Sequence, residues 1–212
     1  MTRSGAAVAV LGTAVILGGA APAWASFASL ASRDGGMQLQ VSGGPGEAND
    51  IEVTFTAGSY VVVDAAGITP GSGCSGGGTM VTCPDPGGTV LRTVIAPADG
   101  ADEVVLKAQV PSLLIGGPGP DRLIGGPLRD RALGVGGPDV VRGRGGDDRL
   151  VGGRRDDRLT GGSGRDRLQG EGGADVLRAR DGRIDRVSGG GGRDTAVIDR
   201  KDVVRGVEQV SP

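Results

Sequence analysis

The 212-residue sequence contains no histidine, two cysteines and four aromatic residues. The lack of histidine excludes catalytic triads and other schemes built on an imidazole base, and it disfavours zinc. So few aromatic residues argue against a large conventional core. The sequence predicts no enzymatic activity. A small polysaccharide lyase with an arginine base is the enzyme class kept as an alternative.

Long hydrophobic runs are also scarce. The one apolar run extends from Ala6 to about Ala21, after Arg3, and the small-x-small triplet Ala23-Trp24-Ala25 follows it. This pattern predicts a signal peptide over residues 1–25, a mature chain that begins at Ser26, and a protein that is secreted, extracellular or loosely associated with the cell surface. Because the run is short and contains glycine, we expect no membrane span.

The two cysteines agree with export. Cys74 and Cys83 lie in a segment rich in Gly, Ser and Thr, and a disulfide between them would close a small loop. By loop entropy, such a bond would stabilise the folded chain by less than about 3 kcal/mol. A metal or redox pair would need closer spacing or more ligands.

What the sequence has in abundance is glycine, with 44 Gly beside 12 Pro. Without a period this composition would suggest disorder. From 116 to 197, however, the chain repeats the nine-residue pattern Gly-Gly-x-Gly-x-Asp-x-(aliphatic)-x. The aspartates of the repeat are Asp121, Asp130, Asp139, Asp148, Asp157, Asp166, Asp175, Asp185 and Asp194.

Each repeat unit combines a turn with a short strand. The glycines suit tight turns, and the segment after each Asp places one aliphatic side chain inward. No unit can bury its aliphatic residue alone, so the units must stack and share an apolar row. The predicted fold is all-β: a parallel β-roll, or β-solenoid, of nonapeptide repeats.

Two units make one coil of such a roll, so aspartates eighteen residues apart lie above one another. One predicted column holds Asp121, Asp139, Asp157 and Asp175, with Asp194 displaced by the one-residue insertion before Asp185; the other holds Asp130, Asp148, Asp166 and Asp185. At the strand spacing of about 4.8 Å, stacked carboxylates repel. A hard divalent cation held by carboxylate and backbone carbonyl oxygens relieves that repulsion, and calcium fits best.

The repeats resemble the hemolysin-type calcium-binding (RTX nonapeptide) family. The segments 116–124 and 161–169 match the full family motif, and 189–194 matches its first six positions. The resemblance implies a calcium-loaded β-roll of a secreted bacterial protein, with the nine repeat aspartates and the turn carbonyls as calcium ligands.

Several units depart from the family motif, which limits how many calcium sites we expect. Leu128 and Arg155 replace the third glycine of their units, and Val135, Arg144 and Glu171 replace the second, so we expect only some sites to be well formed. Residues 116–199 also contain sixteen arginines against fourteen acidic residues. An Asp/Arg lattice that neutralises the columns without metal is therefore the main alternative. If calcium binds, the arginines should weaken it, to a dissociation constant of about 10⁻⁴ to 10⁻³ M.

The flanking segments complete the predicted organisation. Residues 26–115 form a β-rich N-terminal region with the disulfide, and the runs 104–106 and 113–115 indicate capping coils that lack the Asp. The roll spans 116–197, and 198–212 is a C-terminal capping segment. In that cap we expect Asp199 and Asp202 to be ordinary surface charges, and the alternative is that they complete the last site.

The sequence thus favours a secreted calcium-binding β-roll that folds on export. The alternative from a different class is a calcium-independent structural or adhesive solenoid. Beyond calcium, the partner that we expect is a cell-envelope polysaccharide or a surface protein. Nucleic-acid binding is not expected, because the arginines alternate with aspartates and stacking aromatics are missing.

Overall fold

A computed structural model of the chain describes residues 26–33, 36–85, 88 and 90–212. The predicted signal peptide lies outside the described residues. Every regular element among them is a β-strand, which confirms the all-β prediction. None of the described segments forms a helix long and apolar enough to cross a membrane.

The strands before the repeats are short and separated by Gly-rich or Pro-rich turns. In chain order they are β1 (Ser26–Arg33), β2 (Gly36–Ser42), β3 (Asp50–Thr56), β4 (Ser59–Asp64), β5 (Ile68–Pro70), β6 (Ser75–Gly77), β7 (Met80–Pro84), β8 (Val90–Ala96) and β9 (Glu103–Leu106).

The strands of the repeats and the tail continue with a nearly constant period. They are β10 (Ser112–Pro118), β11 (Arg122–Ile124), β12 (Asp130–Gly136), β13 (Val140–Gly145), β14 (Arg149–Arg154), β15 (Arg158–Ser163), β16 (Arg167–Gly172), β17 (Val176–Arg178), β18 (Arg186–Gly191), β19 (Thr195–Val197), β20 (Val203–Arg205) and β21 (Gln209–Ser211).

Successive strands of the repeats alternate between two sheets, so that one coil consists of one strand in each. Sheet A has the order β20-β18-β16-β14-β12-β10-β8-β2-β1-β5, and sheet B has the order β21-β19-β17-β15-β13-β11-β9-β3-β4-β7-β6. From β2 and β3 to the C-terminus, neighbouring strands within each sheet are parallel. The predicted parallel β-roll is confirmed, and both sheets also run through the region that precedes the repeats.

The core consists of two aliphatic columns, one from each sheet. In sheet A the column is Val41, Ile95, Leu114, Ala132, Leu150, Leu168, Val187 and Val204. In sheet B it is Ile51, Val104, Leu123, Val141, Leu159, Leu177 and Ala196. The shared apolar row predicted from the repeats includes five fully buried leucines, which are Leu123, Leu150, Leu159, Leu168 and Leu177. Because a nine-residue step changes sheet, they divide between two rows.

The N-terminal end of the roll is closed by antiparallel strands. Strand β1 pairs with β2, and β3, β4, β7 and β6 form an antiparallel series at the edge of sheet B. The predicted disulfide joins Cys74, in the turn before β6, to the buried Cys83 of β7, with a Cα–Cα distance of 4.2 Å. It therefore fixes this end cap, where no repeated stacking is available.

Candidate metal centre

The repeat aspartates lie at the two edges where the chain passes from one sheet to the other. Each stands at or immediately before the first residue of a strand, two residues before the inward aliphatic side chain. Side chains alternate along a strand, so the Asp also points inward. All nine are at most 3% exposed.

One oxygen of each carboxylate joins a ladder that runs along the roll. The backbone N–H of Asp121 donates to Oδ1 of Asp139 at 2.8 Å, and Asp139 and Asp157 donate in turn to the next Asp at 2.8 Å. The second column repeats the arrangement from Asp130 to Asp148, Asp166 and Asp185 at 2.7–2.9 Å. The two predicted columns are therefore present.

Asp194 departs from the prediction. The N–H of Asp175 donates to its Oδ1 at 2.9 Å, and Thr195 is in register with Val176, so Asp194 keeps its place in the first column. The expectation that the insertion displaces it was wrong. The extra residue is accommodated in the exposed loop 180–184, ahead of Asp185, which leaves the strands that follow in register.

The ladders extend beyond the nine predicted residues. Asp102 donates its N–H to Oδ1 of Asp121 at 3.0 Å, and its own Oδ1 accepts the N–H of Asn49 at 2.7 Å. The expectation that the leading coils lack the Asp was wrong for this coil. Its signal in the sequence is weak, because Asp102 lies nineteen residues before Asp121 and the preceding segment has lost the glycine pattern.

Other polar residues occupy ladder positions at the ends of the columns. Ser112 stands above Asp130 and donates to it with both its N–H (2.9 Å) and its hydroxyl (2.7 Å). At the other end, Asp202 accepts the N–H of Asp185 at 2.9 Å, and Glu208 accepts that of Asp194 at 2.7 Å. Asp202 is thus a ladder residue, so the expectation of an ordinary surface charge was wrong for Asp202, and the alternative place at the end of the column is the one that the structure shows.

The second oxygen of the carboxylates is the unusual feature. Within the described part of the chain, Oδ2 is buried and has no hydrogen-bond partner at Asp102, Asp121, Asp139, Asp148, Asp157, Asp166, Asp175, Asp185 and Asp194. Asp130 differs, because its Oδ2 accepts the N–H of Gly126 at 2.6 Å. A buried carboxylate oxygen without a donor is costly, so each of these atoms lacks the partner that a cation would provide.

The first glycine of each unit makes room for this oxygen. A Cβ placed on Gly134 would lie 2.2 Å from Oδ2 of Asp139 and 2.5 Å from the carbonyl oxygen of Gly152 in the next coil. Gly143 has the same relationship to Asp148, at 2.2 Å, and to the carbonyl of Gly161, at 2.6 Å. A carboxylate oxygen and a carbonyl oxygen of the next coil therefore converge on one small space that glycine keeps open.

Burial perturbs the acidity of the ladder. Desolvation is the largest cause, and it raises the pKa of Asp121 to about 7 and that of Asp148 to about 8, although the N–H donors of the preceding coil oppose the rise. Repulsion from neighbouring carboxylates of the same column adds to it. The pKa is raised likewise at Asp130, Asp139, Asp157, Asp166, Asp175 and Asp185.

These donor atoms fit calcium. Among the described residues no three acidic or cysteine side chains converge on one point, so a metal held by side chains alone is not built here. The available ligands are carboxylate oxygens shared between coils together with turn carbonyls, an all-oxygen set that suits a hard cation with six to eight ligands.

The arginines do not take the place of a metal at the ladder. Within the described residues, the salt bridges of the roll are those of Arg122 with Glu103 at 2.9 Å and Arg129 with Asp147 at 3.7 Å, and neither involves a ladder carboxylate. The residue after each Asp points to the opposite side of the strand, so the guanidinium groups lie outside the roll. Within the part of the chain that the structure describes, the columns contain no Asp/Arg lattice of the kind predicted as the alternative.

Several turns keep their shape without glycine. The residues that replace glycine at Val135, Arg144, Arg155 and Glu171 have φ of 91°, 77°, 84° and 78°, in the left-handed region. These units therefore retain the turn geometry, and the non-glycine residues at these positions carry the backbone strain. That only some sites are well formed stays a prediction.

The fold and the site together define a parallel β-roll with buried carboxylate ladders along its edges. Residues 124–159 and 151–183 match the family model of the RTX calcium-binding nonapeptide repeat, in four copies. No match was found among curated proteins or among solved structures. The resemblance drawn from the sequence is confirmed: the chain carries RTX calcium-binding repeats, and their arrangement fits a calcium-binding β-roll.

Proposed function

We propose that this protein is a secreted β-roll that binds calcium between its coils and folds on export. The observation that carries the proposal is the set of buried Oδ2 atoms without hydrogen-bond donors, repeated in two columns. We assign the nine repeat aspartates as ligands, together with the turn carbonyls of adjacent coils. Asp102 extends the first column in the same way.

Linkage gives the mechanism of folding. Calcium binds the stacked form, because the unfolded chain cannot bring carboxylates of successive coils together, and the binding free energy therefore stabilises the roll. In a low-calcium cytoplasm the repulsive columns oppose folding. After export, calcium neutralises them, and the disulfide between Cys74 and Cys83 forms in the same oxidising compartment.

The proposal gives the protein no catalytic role. The chain has no histidine, and the abundant aspartates are accounted for by the ladders. The folded roll presents its outer faces to a partner at the cell envelope, either a polysaccharide or a surface protein.

Titration calorimetry with the purified protein tests the proposal. We expect several calcium ions to bind per chain, with weak binding of magnesium, because magnesium requires a tighter octahedron and retains its waters. Absence of calcium binding to the folded protein would refute it. Sequencing of the N-terminus of the exported protein tests the export step separately, and the expected first residue is Ser26.

A further inference from the structure

The outer surface of sheet A carries a column of arginines. Strand register places Arg131, Arg149, Arg167 and Arg186 directly beside one another on four successive strands. All four are exposed. At about 4.8 Å per strand, the column is a straight line of four positive charges about 15 Å long.

The two sheets differ in this respect. In sheet B the equivalent outward positions are Arg122, Val140, Arg158, Val176 and Thr195, so no two arginines are adjacent in that column. Like charges directly opposite each other are unfavourable in a sheet. Among the described strands of the repeats, only those of sheet A place arginines directly opposite one another on consecutive strands, whereas the arginines of sheet B are staggered.

The column has almost no internal compensation. Within the described residues none of its four guanidinium groups forms a salt bridge, and the hydrogen bond that it makes is from Arg149 to Oε1 of Gln169 at 2.9 Å. Arg129 and Arg165 lie alongside. The guanidinium group of Arg129 pairs with the exposed carboxylate of Asp147 at 3.7 Å, and the backbone N–H of Arg165 donates to the same carboxylate at 3.0 Å. The charge is therefore available to an external anion.

A shallow groove follows the column. It has a volume of about 570 Å³, and its charged lining consists of seven arginines and three aspartates. The arginines are the four of the column together with Arg92, Arg129 and Arg165, and the aspartates are Asp130, Asp147 and Asp148. The planar guanidinium group matches a carboxylate or sulfate with two parallel hydrogen bonds. The groove is lined by no aromatic side chain on which nucleic-acid bases would stack.

We propose that this surface binds a linear acidic polysaccharide that carries a carboxylate or sulfate on successive sugars. A straight row of regularly spaced cations is complementary to a polymer with regularly spaced anions along an extended chain. The inference requires the folded roll of the proposed function. Among the described residues the column arginines form no salt bridge or hydrogen bond with a ladder carboxylate, so they can be substituted without removing a calcium ligand.

Binding of acidic oligosaccharides to the purified protein tests the inference. The probes are an oligogalacturonate, a heparin oligosaccharide, a neutral oligosaccharide of similar length and a single-stranded oligonucleotide, all at one fixed calcium concentration. We expect salt-sensitive binding of the acidic oligosaccharides and none of the neutral one. The relative affinities of the first two distinguish carboxylate from sulfate.

Matched triple variants locate the site. Combining Arg131→Gln, Arg149→Gln and Arg167→Gln should lower the affinity about tenfold or more. Combining Arg142→Gln, Arg158→Gln and Arg178→Gln removes the same charge from sheet B and should leave it within about twofold of the original. The single change Arg167→Gln provides a milder variant with the same direction of effect.

Three other outcomes would overturn the inference. Equal losses in the two triple variants would mean that net charge alone attracts the polymer, and the inference would be overturned. So would binding of the oligonucleotide in preference to the oligosaccharides, or an absence of binding. Calorimetry with calcium on the same variants separates this result from failure of the calcium site, because the calcium response should remain.

Discussion

The backbone N–H of Asp139 donates to Oδ1 of Asp157 at 2.8 Å, while Oδ2 of Asp157 is buried and accepts no hydrogen bond. The other repeat aspartates use their two oxygens in the same way, except Asp130, whose Oδ2 accepts the N–H of Gly126. One oxygen fixes the register of adjacent coils, and the other is left for a cation. Structure and metal binding therefore depend on the same side chain.

This division predicts the behaviour of Asp157→Asn. An Asn retains an oxygen for the N–H of Asp139 and removes a buried negative charge, so the calcium-free protein should be no less stable. The calcium-dependent gain should fall by about 2.7 kcal/mol for one lost site at calcium a hundredfold above its dissociation constant. Thermal melts with calcium and with chelator measure both quantities.

The neighbouring Asp156 supplies the matched control. Asp156 is exposed and accepts the N–H of Ala174 at 2.8 Å, outside the ladder. Asp156→Asn should leave the calcium-dependent gain nearly unchanged. Equal effects of the two changes would contradict the assignment of Oδ2 as a ligand atom.

Acid should stabilise the calcium-free roll. The folded chain retains protons on Asp121, Asp148 and Asp157, whose pKa values are about 7, 8 and 7, whereas the unfolded chain releases them near the ordinary value of 3.8. Folded protein thus binds more protons across that interval, and its stability falls as the pH rises from about 4 to 8.

Calcium should reverse this dependence. Calcium displaces the protons, so the stabilisation that it provides grows towards pH 8. Melting temperatures at several pH values, in chelator and in calcium, give the comparison. A chelated protein whose melting temperature rises between pH 5 and pH 8 would be inconsistent with carboxylates of raised pKa.

The first glycine of each repeat unit should not tolerate a methyl group. In Gly134→Ala the new Cβ would meet Oδ2 of Asp139 at 2.2 Å and the carbonyl of Gly152 at 2.5 Å, so we expect a loss of about 2 kcal/mol or more and a weakened calcium response. Gly136, in the same strand, has nothing within 4 Å of a Cβ. Gly136→Ala should change the stability by less than about 1 kcal/mol, as measured by urea unfolding.

At the strained turns, by contrast, a substitution should increase the stability of the roll. Val135 is a β-branched residue at φ 91° and is 47% exposed, so Val135→Gly should stabilise the roll by about 1 kcal/mol. Val140 lies in ordinary strand backbone, and Val140→Gly should destabilise by about 1 kcal/mol. Urea unfolding of both variants is the measurement. If Val135→Gly also destabilised, the turn would not be strained.

The sequence predicted the roll and its columns because both are consequences of the period. Asp and the aliphatic residue recur at fixed positions, and a step of eighteen residues returns the chain to the same sheet. The place of Asp194 was missed, since the sequence does not reveal that loop 180–184 accommodates the insertion. Asp102 and Ser112 were missed because they occupy ladder positions in coils without the glycine half of the motif.

The arginine column also required the structure. The sequence shows arginine after six of the repeat aspartates, in what reads as one continuous pattern. Strand register divides these residues between two faces, adjacent to one another in sheet A and alternating with valine in sheet B. Their separation from the carboxylates follows from the alternation of side chains along a strand, which carries Asp166 inward and Arg167 outward.

Circular dichroism of the chain from Ser26, titrated with calcium from chelator and with magnesium as control, tests the central claim most directly. The carboxylate ladders predict a cooperative gain of β-structure that calcium produces and magnesium does not. A spectrum already β-rich in chelator and unchanged by calcium, together with an absence of calorimetric binding, would contradict a calcium-dependent roll.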